Sequence, residues 1–143
     1  MNRASARGIV IKDDTVLLLY RKKNGQTYYT IPGGQSEIDE KLENTVTREL
    51  MEETSVDVKP INLLGKYKQE EFDKFQYLFI CEYVKGEPKL GDYIEKEIMQ
   101  KDDSCYYEPK WVPLKLVSDL TIHPLPVAQA FKGYIEDLVK AKL

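Results

Sequence analysis

Between residues 40 and 54 the chain carries a pattern that few folds can accept. Leu42, Val46 and Leu50 stand four residues apart and form an apolar stripe if the segment is helical. Glu49, Glu52 and Glu53 occupy i, i+3 and i+4, so their side chains share one face of that helix. At about 100° per residue, Glu49 and Glu53 project within roughly 60° of Val46. These two carboxylates therefore border the stripe that must be buried. A solvated acidic face would lie across the helix from it. Like charges at these spacings repel by a few tenths of a kcal/mol per pair in water, and carboxylates crowded at a core edge cost more unless cations neutralise them. Arg48 offsets one charge at most. Hard divalent cations would offset the rest, because Mg²⁺ prefers carboxylate oxygens and keeps bound waters.

The surroundings of this helix read as a sheet. Gly8 to Lys12 and the very apolar Val16 to Tyr20, joined at Asp13-Asp14, predict a hairpin whose second strand is buried on both faces. Lys22-Lys23-Asn24-Gly25 is a polar loop with a turn signal. Tyr28 to Ile31 is a short strand ending at Pro32-Gly33-Gly34. The helix from about Glu40 to Thr54 follows, then an extended stretch from Val58 to Tyr67 broken by Pro60. Phe75 to Val84, rich in aromatic and β-branched residues, is the strongest strand. Gly86 to Cys105 is polar and predicts a mobile loop. Lys110 to Val112 is a last strand and Leu114 to Leu120 a short helix. Leu125 to Ala141 closes the chain as a helix, with Val127, Ala130, Phe131, Tyr134, Leu138 and Ala141 at helical spacing. Strands in the centre and helices at their flanks predict an α/β (α+β) fold, a mixed sheet sandwiched between helices.

Composition narrows the function classes. The 143 residues fit one domain, 1–143, able to bury a core. A net charge of −3 gives no basic surplus for bulk nucleic-acid binding. No apolar run approaches membrane-spanning length, and Met1-Asn2-Arg3-Ala4-Ser5 lacks the apolar core of a signal peptide, so a cytoplasmic protein is expected. Cys81 and Cys105 form neither a zinc spacing nor a disulfide framework. No membrane partner is expected, and a homodimer is left open.

Gly33 and Gly34 sit just before the acidic helix. Glycines there allow close backbone approach, offering a carbonyl to a metal or N–H groups to a phosphate, although a plain tight turn accounts for the pair equally well. With this pair the segment resembles the Nudix box. Gly34 is followed five residues later by Glu40 and, after seven more, by Arg48-Glu49; Leu50, Met51, Glu52-Glu53, Thr54, Ser55 and Val56 complete it. Eight of nine specified positions match, a coincidence on the order of one in a million per starting point. The departure is Ser55, where the family has Gly at the end of the helix. If the left-handed backbone is kept there, serine costs roughly 1 kcal/mol. Tyr29-Thr30-Ile31-Pro32-Gly33-Gly34 and Glu108-Pro109-Lys110-Trp111-Val112-Pro113-Leu114 resemble family segments on either side of the box, with Tyr29 where Trp is frequent.

The resemblance implies a Nudix-like α/β/α sandwich and a MutT-like hydrolase that cuts a diphosphate bond in a nucleoside diphosphate linked to a group X. It implies that Glu49, Glu52, Glu53 and a backbone oxygen of Gly33 hold Mg²⁺, for which Mn²⁺ can substitute. Arg48 would orient a glutamate, Glu49 or Glu53, and Glu40 would support the metal site or its loop. Catalysis would rest on Glu49, Glu53, Arg48 and Glu52. Gly34, Glu40, Arg21 and Tyr29 are candidates for substrate contact. The general base is a box glutamate or a later acid among Glu70, Glu71, Glu95, Glu97, Asp102, Asp103 and Glu108. Lys22 and Lys23 are candidate phosphate contacts, and Tyr28, Phe72, Phe75 and Tyr77 candidate base-stacking groups, although a solvated turn and a core serve as well. His123, the sole histidine, reads as a loop residue. The leading substrate is a nucleoside triphosphate, including an oxidised one. Dinucleoside polyphosphates and ADP-ribose come next, and the stretch Lys68 to Phe75 lacks the proline that the ADP-ribose class carries there. A non-catalytic nucleotide-binding Nudix module is the alternative of a different class, and the retention of Glu49, Glu52 and Glu53 argues against it.

Overall fold

A computed structural model describes residues 3–89 and 105–142. The sequence Val16-Leu17-Leu18-Leu19 organises it. All four side chains are buried, which places their strand β2 (Thr15–Lys23) in the middle of the molecule. Alternation sends them to opposite faces. Val16 and Leu18 join a core with Val127, Phe131 and Ile135 of the closing helix α2 (Leu125–Ala141). Leu17 joins a second core with Val46 and Leu50 of α1 (Leu42–Thr54). Burying each such side chain contributes roughly 1.5–3 kcal/mol. One apolar strand thus requires a helix on each side of the sheet, and the expected sandwich follows.

Around β2 lie β1 (Arg3–Lys12), β3 (Gln26–Thr30), β4 (Gly33–Gln35), β5 (Asp57–Gln69), β6 (Lys74–Lys85), β7 (Cys105–Pro113) and the two-residue β8 (Ile122–His123). The sheet is mixed. Its main order is β5-β6-β1-β2-β3-β8, with β4 added to β1 and β7 to β2. β1 runs parallel to β6, and β2 runs antiparallel to β3 and β7. β1 and β2 pair only near their shared turn, at Ile11↔Val16 and Lys12↔Thr15. Beyond it β4 pairs with β1 through Ser5↔Gln35, Ala6↔Gly34 and Arg7↔Gly33. The sheet opens at this point, and α1 packs beside the opening.

Several elements differ from the sequence expectation. β1 begins at Arg3, because its Ser5, Ala6 and Gly8 are buried between β4 and β6. Gly33-Gly34 is part of a strand as well as a turn. Pro60 does not end its strand; the register slips between Pro60 and Asn62 and pairing resumes. The short helix after β7 is a 3₁₀ helix, Leu114–Asp119. α2 keeps the expected bounds, with Ile135 added to its buried stripe. Most of the expected mobile loop, 90–104, lies outside the described residues. No helix among the described residues is long and apolar enough to cross a membrane.

Candidate functional site

Glu40 organises the start of α1. Its Oε1 accepts hydrogen bonds from Thr45 Oγ1 at 2.8 Å and from the Glu37 N–H at 3.0 Å. Arg48 closes on the same carboxylate with both arms of its guanidinium, Nε to Oε2 at 2.9 Å and Nη2 to Oε1 at 3.0 Å. This fork is the strong form of ion pair. The Arg48 hydrogen bonds hold the Glu40 carboxyl down at about 2, with the Glu37 N–H and Thr45 adding to the effect. The same contacts push Arg48 further up from its already high value.

Arg48 then runs short of charge for its neighbours. Its Nη1 donates to Glu49 at 3.0 Å and lies 3.4 Å from both oxygens of Glu52, while Nη2 also donates to the Gln35 carbonyl at 3.1 Å. One cation faces the carboxylates of Glu40, Glu49 and Glu52. Glu49 bears the consequence, since only 17% of its side chain is exposed. Burial pushes its carboxyl up, against the pull of Arg48. Glu52, at 48% exposed, keeps its solvent. Among the described contacts Arg48 holds Glu49 and not Glu53. The Glu53 carboxylate accepts the Gly33 N–H at 2.9 Å. Helical phase decides this: Glu53 lies one turn further along and meets β4.

The two glycines are required by space. A Cβ on Gly34 would come within 2.5 Å of the Glu49 carboxyl carbon, and one on Gly33 within 2.2 Å of the Ala6 carbonyl oxygen. Gly34, which stays partly exposed, therefore leaves room for a carboxylate. At the far end of α1, Ser55 takes the left-handed conformation (φ 64°), and its N–H donates to the Met51 carbonyl at 3.0 Å. The family glycine's backbone is kept with a serine, whose Oγ donates to the Lys89 carbonyl at 3.2 Å.

Sequence reasoning missed Arg7. It stands on β1 between buried Ala6 and Gly8, and its Nη1 donates to the Ile31 carbonyl at 2.7 Å. Its Nε donates to Gln76 Oε1 at 2.9 Å, and Gln76 is braced in turn by the buried Gln69 at 2.7 Å. Burial lowers the guanidinium's affinity for its proton, while Glu53 and Glu49 attract its charge. No local signal marks it, because the groups that hold its head lie 24 and 69 residues away in the chain.

The remaining candidates disperse. Tyr29 packs edge-on against Tyr20, with ring centroids 5.3 Å apart, and belongs to the core under α2. Tyr28 and Thr30 face the other way, beside Arg21. Arg21 lies against the rings of Tyr107 (4.2 Å) and Tyr28 (5.6 Å) and donates to the Tyr107 hydroxyl. His123 is in β8, paired with Thr30, with its ring 4.6 Å from that of Tyr28. Lys22 and Lys23 extend β2 and are exposed. Phe75 lies under Lys66 Nζ at 4.1 Å, and Tyr77 is packed at the edge of the α1 core. Glu70 and Glu71 form an exposed 3₁₀ turn with Phe72, and Glu108 accepts the Tyr106 hydroxyl at 3.0 Å. Glu95, Glu97, Asp102 and Asp103 lie outside the described residues.

The sequence matches the family model of the NUDIX domain over residues 1–134. It is 38% identical over 90 residues to an ADP-ribose pyrophosphatase of Methanocaldococcus jannaschii, covering 59% of this chain and 53% of that protein. It is 35% identical over 81 residues to a MutT-like protein of Streptomyces ambofaciens, covering 57% and 52%. The chain thus spans about half the length of these curated relatives. The solved structure of a NUDIX hydrolase from Nitrosomonas europaea matches with a TM-score of 0.74 at 19% identity, covering 96% of this chain and 72% of that one. At that identity the likeness is one of fold.

Proposed function

The chain belongs to the NUDIX family, and from that premise we propose that it hydrolyses a diphosphate bond in a nucleoside diphosphate linked to a further group, with Mg²⁺ and, in its place, Mn²⁺. The observation that carries this is the crowding on α1. Glu40, Glu49 and Glu52 share one arginine, and Glu49 is largely buried with its carboxyl pushed up. Folding gains nothing from crowding Glu49 and Glu52 beside an arginine that Glu40 already holds, and a divalent cation would relieve it.

The donors suit a hard cation. Glu49, Glu52 and Glu53 supply only oxygens, on one face of a helix at the edge of a core. Among the described residues no three such side chains converge as a finished cage. Their carboxylates are engaged by Arg48 and the Gly33 N–H, which hold them near one another until a cation is bound. In this reading Glu49, Glu52 and Glu53 are the ligands, with Gly33 supplying backbone. Mg²⁺ bound there would neutralise the diphosphate and bring the attacking water into reach at neutral pH. Glu40 fixes Arg48, and Arg48 orients Glu49 and Glu52. The general base is a box glutamate or a later acid such as Glu70, Glu71 or Glu108.

A nucleoside triphosphate, oxidised or not, is the substrate we favour, because Arg7, Arg21 and Lys23 line one pocket with cations suited to a charged phosphate chain. ADP-ribose is the second reading, favoured by the name of the Methanocaldococcus relative. The test is turnover on a panel of nucleoside triphosphates, an oxidised triphosphate, dinucleoside polyphosphates and ADP-ribose, with Mg²⁺, with Mn²⁺ and in excess EDTA. Turnover that persists in EDTA ends the metal assignment. Absence of turnover on every member favours a nucleotide-binding module.

A further inference from the structure

Beside the acidic helix lies a pocket of about 490 Å³, within the range of small-molecule sites. Its lining is unlike that of the carboxylate cluster. Arg7, Arg21 and Lys23 contribute three cations, with Glu71 as their one acidic counterpart in the lining. Tyr28, Phe72 and His123 supply ring surfaces.

Three observations mark it as a built site. Arg7 and Arg21 are close enough for the charge of Arg21 to act against that of Arg7, although Arg7 is already buried at a cost. Both could have been apolar if packing were all they served. Thr30, only 6% exposed, lines the pocket with a hydroxyl that finds no partner among the described residues. The Nε of Arg21, buried in the same wall, likewise has none. An unmade hydrogen bond at a buried polar atom costs about 1–3 kcal/mol. Two such atoms in one pocket, beside two guanidiniums that repel, are satisfied together by one oxygen-rich anion.

We propose that this pocket is an anion seat in which Arg7 and Arg21 grip a phosphate of the substrate and Thr30 donates to one of its oxygens. Arg7 joins this seat to the acidic helix. It touches the Ile31 carbonyl two residues before Gly33, and Glu53 and Glu49 attract it from the other side. A polyphosphate chain would then pass from the cation held by α1 to the two arginines, so that metal and guanidiniums neutralise successive phosphates. Arg7 and Arg21 become specificity-determining residues for a substrate with negative charge beyond the scissile bond. The inference rests on the hydrolase reading for the identity of the ligand, but the seat itself needs no metal.

Calorimetric titration of the full chain in EDTA tests this, with inorganic pyrophosphate, AMP and adenosine as probes. Pyrophosphate and AMP should bind and adenosine should not. Arg21→Gln should weaken both anions by about tenfold or more, the loss expected for a charged hydrogen bond. Thr30→Val keeps the shape and should weaken them severalfold while raising the melting temperature, because it removes an unpaired buried hydroxyl. A purely structural threonine would not show that opposition. Arg7→Gln should act like Arg21→Gln; since Arg7 also braces Ile31 and Gln76, Arg21→Gln and Thr30→Val carry the test if that variant unfolds. Equal binding of pyrophosphate by wild type and Arg21→Gln, no binding of either anion, or adenosine binding as tightly as AMP overturns the proposal. If this pattern holds while every nucleotide resists hydrolysis, the seat survives and the hydrolase reading fails. The reverse result separates them the other way.

Discussion

The two faces of the sheet are built by opposite rules. Under α2 the contact is apolar: Val127, Phe131 and Ile135 meet Val16, Leu18 and Ile31, and all six are fully buried or nearly so. Under α1 the core is smaller, and its edge carries Arg48 with Glu40, Glu49 and Glu52. Burial of charge costs free energy that apolar packing does not. The α2 face thus supplies stability, while the α1 face holds strain of the kind that functional sites require.

This contrast can be broken by mutation, and the largest effect should come from the α2 side. Phe131→Ala should destabilise the fold by about 3–5 kcal/mol, the usual loss for an aromatic removed from a packed core. Turnover per folded molecule should change little. Denaturant melts together with active-fraction assays decide it, and a specific loss of activity at full stability would erase the distinction between the faces.

On the α1 side the order reverses. Glu53→Gln should lower turnover by at least about a hundredfold, as when a charge-stabilising group at a reacting centre is lost. Its stability in EDTA should hold or rise slightly, and Mg²⁺ should raise its melting temperature less than that of the wild type. A variant that loses stability in EDTA yet keeps its turnover would make these glutamates structural.

Glu40 sharpens the comparison, because it is the one acid here whose pairing stabilises the fold. Its carboxyl sits at about 2 when folded, below the usual value. A depressed acid contributes stability that is complete above about pH 4.5 and lost as pH falls towards about 2. Allowing for solvent screening, the contribution is roughly 1–2 kcal/mol. Glu40→Gln should flatten the stability curve between these limits, seen in urea melts at stepped pH. An unchanged acid limb would mean that Arg48 gains nothing net from the fork.

The smallest effect is at Ser55. Glycine there relieves the left-handed backbone but gives up the hydrogen bond to Lys89, so Ser55→Gly should stabilise by roughly 0.5 kcal/mol with turnover unchanged. A lower melting temperature would show that the serine hydroxyl outweighs the strain.

What the sequence determined by itself was periodic. Alternation and 3.6-residue spacing are local properties of the backbone, so β2, β6 and both helices were legible, α2 to its end residues. The spacing of Glu49 and Glu53 against Val46 and Leu50 likewise placed two carboxylates at the core edge before any contact was known. Ser55 as a left-handed cap was legible from the family pattern alone. Other features waited on the tertiary structure because they depend on partners far apart in the chain. Arg48 selects Glu40, eight residues away, while Glu53 turns to Gly33, twenty away. β4 exists only because β1 meets β2 no earlier than Ile11 and leaves an edge open beside Ser5 to Arg7. Arg7 could not be separated from an ordinary strand residue until Gln76 and Ile31 were seen around it. Tyr28, and not Tyr29, faces the cationic pocket because Tyr29 is taken into the core under α2 and alternation turns its neighbour the other way. Local geometry repeats and can be counted along a chain; long-range pairing and side-chain choice among several acids are settled only when the sheet closes.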